Sequence, residues 1–458
     1  MTANRVSIAD RSALASSAAR EVALDCLVAG VEAAHPDRVV ADALSVEDGR
    51  LTVDPEDADG RTYDLAAYDR VMVLGGGNAA GHFAAALEPL LGEALDGGAV
   101  VTDDPVETDR IEVLPGDHPT PSRRGVDSTR RVVEVAEKAG PDDLVIGCLT
   151  GGGSALLAAP AGDLSLEELR DTTDALLASG ASIGEINAVR KHCSAIKGGQ
   201  LARLAAPATV AGVAISDVTN DDPAVIASGP FAPDPTTYDE ARAVLDRYDA
   251  PVPSAVHDRL QAGAAGGIPE TPTAADPGFD SVDFHIVASA TTALAAARDV
   301  AVENGVTPLV LSSRIRGEAR EAAKTQAAIA EEIRATATPV EPPAVVLSGG
   351  ETTVTLTDDH GQGGPNQEFV LSAALELACD DVVIGAVDTD GIDGATDAAG
   401  AIADAETVGA DAGLAPAAAV DAIDRNDAYS ALESANALVR TGPTGTNVND
   451  LRIVVVDD

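Results

Sequence analysis

A short glycine-rich segment in the first half of the chain is the part best suited to chemistry. An apolar run at residues 144–149 predicts a buried strand, and it leads into a glycine turn made of Gly151, Gly152, Gly153 and Ser154. Because glycine has no side chain, the backbone can turn sharply there and point several N–H groups at one spot. Such a concave group of donors binds anions, and phosphate above all. A tight turn with no ligand is the alternative, and the glycines alone do not decide between the two.

The densest basic segment of the chain lies at residues 185–202. It places Arg190, Lys191, His192 and Lys197 within eight positions. Elsewhere lysine is scarce, and 75 acidic side chains against 30 basic ones leave a formal charge of −45. A solvated helix face is the ordinary explanation for such a cluster, but this compositional bias removes solvated lysines. The segment therefore predicts an anion-facing role, with phosphate or a carboxylate as the anion.

Acidic side chains closely follow two predicted strands. Asp217 comes just after a strand at 209–215, and Asp390 and Asp393 follow a strand at 382–387. Doubly wound sheets bind ligands at the carboxyl ends of their strands, and Mg²⁺ prefers carboxylate oxygens together with waters and substrate phosphates. These three residues are therefore predicted Mg²⁺ ligands, and Asp217 is also a candidate acceptor for a hydroxyl proton. Helix capping or turn formation is the alternative role for Asp217.

Two further glycine-rich junctions have the size of phosphate-binding turns. Their residues are Gly75, Gly76, Gly77 and Asn78 in the first, and Gly349, Gly350 and Glu351 in the second. The first also resembles a dinucleotide fingerprint in which Ala80 replaces the third glycine and Asp103 ends the next strand. An NAD-dependent reductase therefore stays open as the weakest alternative.

Charge, hydropathy and cysteines exclude several classes of protein. The net charge of −45 argues against nucleic-acid binding, which needs a basic surface. No stretch approaches 18 uncharged apolar residues and the first residues lack the layout of a signal peptide, so we expect no membrane span and a cytoplasmic location. Cys26, Cys148, Cys193 and Cys379 form no C-x-x-C pair, which favours reduced structural thiols over a zinc site. Acidic residues spread along the whole chain predict a protein of a salt-loving cytoplasm, where screening reduces self-repulsion.

Alternating strand and helix patterns predict an α/β fold with a parallel sheet covered on both faces. Strands are predicted at residues 71–74, 99–102, 111–114, 144–149, 209–215, 284–288, 307–311, 344–347, 352–356, 382–387 and 451–456. Helices are predicted at residues 10–34 and 367–378, among others. Segments rich in Pro and Gly predict three regions, at residues 1–240, 241–342 and 343–458.

Six long motifs carry a resemblance that covers nearly the whole chain. They are the Gly-Gly-Gly-Ser-Ala-Leu-Leu segment at 151–157 and the segments at 186–199, 221–230, 348–354, 389–394 and 441–451. Together they resemble the glycerate 2-kinase family, also called the MOFRL family, whose members are ATP-dependent kinases that phosphorylate D-glycerate at its 2-hydroxyl.

The resemblance carries expectations for fold, cofactors and site. It implies a larger Rossmann-like N-terminal domain, a smaller C-terminal α/β domain and an active site in the cleft between them. It implies ATP and Mg²⁺, a small hydroxy acid as the other substrate, and it allows a homodimer. On this chain it assigns catalysis to Arg190, Lys191, Lys197 and Asp217, and it assigns nucleotide and phosphate binding to the glycine-rich turns at 75–78, 151–154 and 349–351.

Two positions depart from the family's pattern. The family usually carries Lys after its first glycine turn and Arg in its Gly-Gly-Arg-Asn-Gln-Glu motif, where this chain has Asn78 and Pro365. A cation at the transition state of phosphoryl transfer can contribute about 10³–10⁵ in rate, or roughly 4–7 kcal/mol. One explanation is that other cations substitute, and the candidates are Arg314, Arg316, Lys191 and Lys197. The alternatives are a kinase for another sugar acid or polyol, or a catalytically weak relative that binds a nucleotide or metabolite.

Overall fold

Two six-stranded sheets and a small three-stranded sheet form the framework of the fold. The computed structural model describes residues 6–55, 60–357, 359–377, 381–409 and 412–457. The strands are β1 (Leu44–Glu47), β2 (Arg50–Val53), β3 (Arg61–Asp64), β4 (Arg70–Gly76), β5 (Gly97–Thr102), β6 (Ile111–Pro115), β7 (Asp143–Leu149), β8 (Thr209–Ile215), β9 (Val282–Ala288), β10 (Thr307–Glu318), β11 (Ala344–Thr353), β12 (Val382–Asp388), β13 (Gly400–Ala403), β14 (Leu438–Val439) and β15 (Asp450–Val456). The helices are α1 (Arg11–Leu14), α2 (Ala18–Ala33), α3 (Pro36–Ala43), α4 (Ala80–Leu91), α5 (Arg123–Ala136), α6 (Gly153–Leu156), α7 (Leu166–Ser179), α8 (Ile183–His192), α9 (Gln200–Ala205), α10 (Tyr238–Tyr248), α11 (Ser254–Ala264), α12 (Ala290–Glu303), α13 (Ala319–Thr336), α14 (Pro365–Glu376), α15 (Pro416–Asp424) and α16 (Ala428–Ser434).

The chain divides into two compact units whose bounds differ from the three predicted segments. One unit is Val39–Ala288, and the other joins Met1–Arg38 to Ser289–Asp458. The divide does not fall at residue 240 because β9 pairs in parallel with β8 and so completes the first sheet. The N-terminal helix α2 belongs to the second unit because its apolar face packs in one hydrophobic core with β12 and β15.

The Val39–Ala288 unit contains a parallel sheet in the strand order β6-β5-β4-β7-β8-β9. From β4 the chain proceeds outward through β5 and β6, and it then returns to the other side of β4 for β7, β8 and β9. The direction of winding therefore reverses between β4 and β7. In doubly wound sheets a ligand binds at this reversal, outside the carboxyl ends of the strands. The predicted Rossmann-like parallel sheet is confirmed.

The second unit contains a mixed sheet in the order β10-β11-β15-β12-β13-β14. Its strands β10 and β11 pair in parallel, and β15 pairs antiparallel with both β11 and β12. The start of β15 therefore lies beside the ends of β11 and β12, and Asp450 pairs with Gly350 on one side and Asp388 on the other. The two short strands predicted at 344–347 and 352–356 are wrong in detail, because one continuous strand, β11, crosses the glycines between them.

Local chain signals explain other differences from the predicted elements. The helix predicted at 10–34 is interrupted, because the Ser17 hydroxyl accepts from the Arg20 amide and starts a new helix. The antiparallel β1, β2 and β3 strands are too short to show a clear period and were not predicted. The helix predicted to end at 378 ends at Glu376, and residue 378 lies outside the described residues.

The sequence predicts no membrane-spanning helix and reduced cysteines, and the described part of the chain bears on both predictions. None of the helices it contains is both long enough and apolar enough to cross a bilayer. Cys26, Cys148 and Cys193 are buried free thiols, whereas Cys379 lies outside the described residues.

Candidate active site

The glycine turn lies at the carboxyl end of β7, beside the winding reversal. Gly152 has a φ of +73°, in the left-handed region that favours glycine. A Cβ at this position would lie 1.6 Å from Oδ1 of Asn78 and 3.0 Å from Cδ2 of His118. Both the backbone conformation and the close approach of Asn78 therefore require glycine at position 152.

The first glycine junction, at the end of β4, packs directly on this turn. The Asn78 amide donates to the Gly151 carbonyl at 2.7 Å, and the Ala79 amide donates to the Thr150 hydroxyl at 3.1 Å. A Cβ on Gly77 would lie 2.2 Å from the same hydroxyl. These glycines allow β4 and β7 to approach closely, and the amides that follow them are bound to protein rather than directed at a ligand.

The same contacts weigh against the dinucleotide alternative. A pyrophosphate in such a fold is bound by free amides at the first glycine turn. Here the Gly77 amide donates to the Val101 carbonyl at 3.0 Å, and the next two amides are occupied as described. The Nδ2 group of Asn78 also donates to Oδ2 of Asp103 at 3.3 Å, so the predicted ribose-binding carboxylate already has a partner. Burial raises the pKa of Asp103, an effect that His118 opposes.

Lys197 reaches the glycine turn from the segment after α8. Its Nζ donates to the Ser154 carbonyl at 2.8 Å and to the Ala227 carbonyl at 3.5 Å. Its side chain is buried, and this burial, together with the charge of Arg190, lowers the pKa of Lys197 to about 7. Lys197 therefore connects the glycine turn to the segment at Ala227 and places a titratable amine next to both.

Together with burial, the charge of Arg190 lowers the pKa of Lys197, but Arg190 itself lacks the hydrogen bonds that Lys197 makes. The guanidinium is only partly exposed, and burial alone lowers the pKa of Arg190. Within the residues that the structure describes, it has no ion pair and no hydrogen bond. A desolvated cation without a counter-charge is unfavourable. The pair of Arg190 and Lys197 is thus a local positive site in a strongly acidic chain.

Lys191 and His192, the neighbours of Arg190 on α8, are bound into the protein instead. Nζ of Lys191 lies 3.2 Å from Oδ1 of Asp234, and both side chains are buried. Nδ1 of His192 is 2.7 Å from the Ala188 carbonyl, and its ring packs edge-on against Tyr238. The predicted basic cluster is therefore divided, since the structure brings Arg190 and Lys197 together and turns Lys191 toward a buried carboxylate.

Asp217 borders the glycine turn from the end of β8. Its Oδ2 accepts from the Gly152 amide at 3.2 Å, and a Cβ on Gly151 would lie 2.8 Å from the same oxygen. Burial raises the pKa of Asp217, whereas the Gly152 amide and the charge of His118 act in the opposite direction. The carboxylate therefore shapes the turn, and its raised pKa makes it a stronger base than an exposed carboxylate.

The site includes residues that the sequence analysis missed. His118 follows β6 in the segment His118-Pro119-Thr120-Pro121, whose two prolines were the available signal. Ala227 and Ser228 have φ values of +50° and +62°, which residues other than glycine rarely adopt. Strained backbone of this kind clusters at functional sites. The Ser228 hydroxyl lies 2.8 Å from that of Ser154, which places this strained segment on the glycine turn.

The predicted metal ligands of the second unit lie among several carboxylates. Asp393 accepts from the Asn366 and Gln367 amides at 3.0 and 2.8 Å, so it caps the first turn of α14. Burial raises the pKa of Asp393 to about 7 despite these bonds. Asp388, which was not predicted, has a pKa well above its usual range because of burial and the nearby charges of Asp390 and Asp450.

No group of three metal-binding side chains occurs among the described residues. Asp217 belongs to the parallel-sheet unit, whereas Asp390 and Asp393 belong to the other unit. The crowded pair of Asp388 and Asp390 has the donor chemistry that suits a hard divalent cation completed by waters and phosphate oxygens.

The remaining predicted residues lie along β10, β11 and α14. Gly350 has a φ of +129° and a Cβ there would lie 2.2 Å from the Ile315 carbonyl, so this glycine allows close packing of β10 on β11. Glu351 pairs with Arg316 across these strands, and Arg314 and Arg316 are both exposed. Pro365 occupies the first turn of α14, where its missing N–H is tolerated.

Comparison with known families agrees with this architecture. Residues 22–261 match the family described as Domain of unknown function (DUF4147), and residues 344–450 match the MOFRL family. The first match lies mainly in the parallel-sheet unit, and the second covers β11 to the start of β15.

Individual relatives match the chain over most of its length. A provisionally named hydroxypyruvate reductase of Agrobacterium vitis is 42% identical over 393 residues, covering 84% of this chain and 87% of the relative. A glycerate 2-kinase of Pyrococcus horikoshii is 37% identical over 446 residues, covering 95% of this chain and 97% of the relative. The crystal structure of a glycerate kinase from Thermotoga maritima matches with a TM-score of 0.81 and 36% identity, covering 95% of this chain and 99% of that one. Since both the sequence and the fold match over nearly their whole length, the chain belongs to the glycerate 2-kinase (MOFRL) family.

Proposed function

We propose that this protein transfers the γ-phosphoryl group of ATP to the 2-hydroxyl of D-glycerate and releases 2-phosphoglycerate and ADP. The observation that carries the proposal is the positive site formed by Arg190 and Lys197 beside the glycine turn, at the winding reversal of the parallel sheet. In a chain with a charge of −45, a partly buried guanidinium that has no counter-charge among the described residues, acting on the buried amine of Lys197, favours an anionic ligand. The names of the relatives from Pyrococcus and Thermotoga make D-glycerate the first acceptor to test, with ATP as the phosphoryl donor that the family resemblance implies.

The proposed catalysis is mainly positioning and charge stabilisation. The glycine turn binds phosphate oxygens, and Lys197 holds the turn in shape while it adds positive charge. The acceptor hydroxyl attacks the γ-phosphorus, the bond from phosphorus to the ADP oxygen breaks, and the hydroxyl proton passes to a carboxylate. Asp217 is our candidate for that proton because burial raises its pKa and its Oδ2 contacts the turn.

The other predicted residues take supporting parts in this proposal. Gly75, Gly76, Gly77 and Asn78 support the glycine turn from β4, and Gly349, Gly350 and Glu351 stay candidates for nucleotide contact. Asp390, together with Asp388, would hold Mg²⁺, which neutralises charge on the phosphates when bound. Asp393 positions α14, and Lys191 neutralises Asp234 rather than contacting substrate.

A second candidate is a kinase for another sugar acid or a polyol. Asn78 and Pro365 favour it, because both stand where the resemblance implies a cation. A silent binding protein is the remaining alternative of a different class. For the whole protein we further propose a cytoplasmic location, a high-salt working environment and a homodimer, the last to be measured by light scattering after gel filtration.

A coupled assay for ADP in high salt tests the main proposal. We expect turnover with ATP, Mg²⁺ and D-glycerate, and a ³¹P spectrum that identifies the 2-phosphate. Lys197→Met should reduce kcat strongly, while Lys324→Met, which removes an exposed lysine from the other unit, serves as the control. A folded protein without turnover on D-glycerate would exclude the glycerate assignment. Turnover on another hydroxy acid or a polyol in the same assay would then support the second candidate.

A further inference from the structure

Arg190 has an environment that no structural role explains. Its side chain is partly buried near the end of α8, and beyond the effect of burial its charge lowers the pKa of the Lys197 amine. Yet in a chain with 75 acidic side chains, no carboxylate or carbonyl of the described residues binds it. By contrast Lys191, one position further on, is fully paired with Asp234. Retaining an unpaired, desolvated cation lowers stability, which points to a ligand that supplies the missing charge.

Hydrogen bonds connect α8 to the glycine turn through one side-chain amide and two hydroxyl groups. Asn187 lies one turn before Arg190 on α8, and its Oδ1 accepts from the Ser228 hydroxyl at 3.4 Å. The Ser228 hydroxyl in turn lies 2.8 Å from that of Ser154, on the glycine turn. Ser228 keeps a left-handed conformation that disfavours its side chain, so the position of its hydroxyl is fixed by the surrounding structure. The Ser154 hydroxyl of the glycine turn is therefore linked through Ser228 to Asn187, which shares a helix face with Arg190.

We propose that Arg190 binds the carboxylate of the acceptor substrate and that Ser154, positioned by the fully buried Ser228, binds one of its hydroxyl groups. A planar guanidinium matches a carboxylate with two parallel hydrogen bonds, and hydroxyl side chains both donate to and accept from an alcohol. The site then selects short hydroxy acids and rejects neutral polyols, which leave the guanidinium without a counter-charge. This inference rests on the proposed function, since it assigns a role at the same site.

Three variants measured with two acceptors test the assignment. We expect Arg190→Gln to raise KM for D-glycerate about 100-fold with a much smaller change in KM for ATP, because a desolvated charge pair is lost. Arg190→Lys keeps the charge but loses the fork geometry, so KM should recover only in part. Arg203→Gln is the matched control, since this exposed arginine on α9 donates to the Gln200 side chain and the Glu270 carbonyl. With glycerol as acceptor, the loss of kcat/KM in Arg190→Gln should be much smaller than with D-glycerate, because glycerol has no carboxylate for the guanidinium to bind.

A different pattern would overturn the assignment. If Arg190 binds phosphate instead, Arg190→Gln will lower kcat and raise KM for ATP while KM for D-glycerate stays unchanged. Stability gives a second readout, because removing an unpaired cation should leave the melting temperature of the free protein equal to or above that of the unmodified protein. A clear fall in melting temperature would show that Arg190 has a structural partner and would contradict the inference.

Calorimetry separates this inference from the proposed function. Binding of D-glycerate that disappears in Arg190→Gln, without any turnover in the unmodified protein, would support the carboxylate site and exclude the kinase. Turnover of D-glycerate with an unchanged KM in Arg190→Gln would support the kinase and exclude the carboxylate site. No binding of D-glycerate or other short hydroxy acids by the unmodified protein would exclude both.

Discussion

Replacing Gly152 by alanine perturbs the glycine turn, and the same replacement at Gly180 serves as the control. Gly152 and Gly180 have nearly the same backbone conformation, with φ values of +73° and +76°. A Cβ on Gly152 would lie 1.6 Å from Oδ1 of Asn78, whereas a Cβ on Gly180 would have no atom within 4 Å. The two alanine variants therefore share the backbone effect and differ only in the contact with Asn78 and its neighbours.

The structure gives the expected size of each effect. Placing alanine in the left-handed region costs about 1–2 kcal/mol, which should be the whole loss of unfolding free energy in Gly180→Ala. In Gly152→Ala the Asn78 carboxamide must also move, and it then loses its bond to Asp103, which adds roughly 0.5–1.5 kcal/mol. Displacing a substrate-positioning group by about 1 Å can lower the rate about 10²-fold. We therefore expect kcat/KM to fall about 100-fold in Gly152→Ala and to stay unchanged in Gly180→Ala.

Urea unfolding and the coupled ADP assay measure the two effects on the same preparations. The reasoning predicts a small difference in stability between the variants and a large difference in activity. Equal activity in the two variants would show that the glycine turn takes no part in the reaction. A loss of stability in Gly152→Ala several times that in Gly180→Ala would show instead that the turn is mainly structural.

Three other perturbations test separate parts of the account. Lys191→Met should lower the free energy of unfolding by about 3–5 kcal/mol, because it leaves the carboxylate of Asp234 buried without its cation. The control Lys324→Met, at an exposed pair with Glu321, should change the free energy of unfolding by less than about 1 kcal/mol. Equal losses in the two variants would contradict the structural role of Lys191. Burial lowers the pKa of Lys197 from 10.5 to about 7. Between pH 7 and pH 10.5 the Lys197 amine is therefore protonated in the unfolded chain and neutral in the folded protein. The free energy of unfolding should then rise with pH over this range by up to about 1.4 kcal/mol per pH unit. Lys197→Met should remove that rise, and an unchanged slope in urea unfolding would refute the assignment. With a charge of −45, dialysis into dilute buffer should reduce the far-ultraviolet circular dichroism, and an unchanged spectrum would exclude dependence on salt.

The regular part of the fold could be predicted because its signals are local. Runs such as residues 144–149 and 209–215 are continuously apolar, as strands buried on both faces must be, and they became β7 and β8. The strand β9 was also predicted, but it was placed in the second α/β run rather than in the first sheet. Its pairing with β8 is a long-range contact, and the segment rich in Pro and Gly before it looked like a boundary.

The candidate site could be predicted only in part, because residue type does not reveal direction. The sequence marked Arg190, Lys191 and Lys197 as one basic group, but a helix separates neighbours by about 100° and sends Arg190 and Lys191 to different surroundings. Asp393 was predicted as a metal ligand, and residue type alone does not indicate that its carboxylate also accepts from the amides of Asn366 and Gln367. His118 carried too weak a local pattern to be noticed, and the loop geometry after β6 alone brings it to the glycine turn.

A crystal structure with an ATP analogue and D-glycerate, prepared at high salt, tests the central claim most directly. The account predicts phosphate oxygens on amides of the glycine turn other than that of Gly152, which donates to Asp217. It also predicts Lys197 beside these oxygens and the guanidinium of Arg190 about 3 Å from the carboxylate of D-glycerate. Phosphates bound away from residues 151–154, with Arg190 and Lys197 untouched by either ligand, would contradict it.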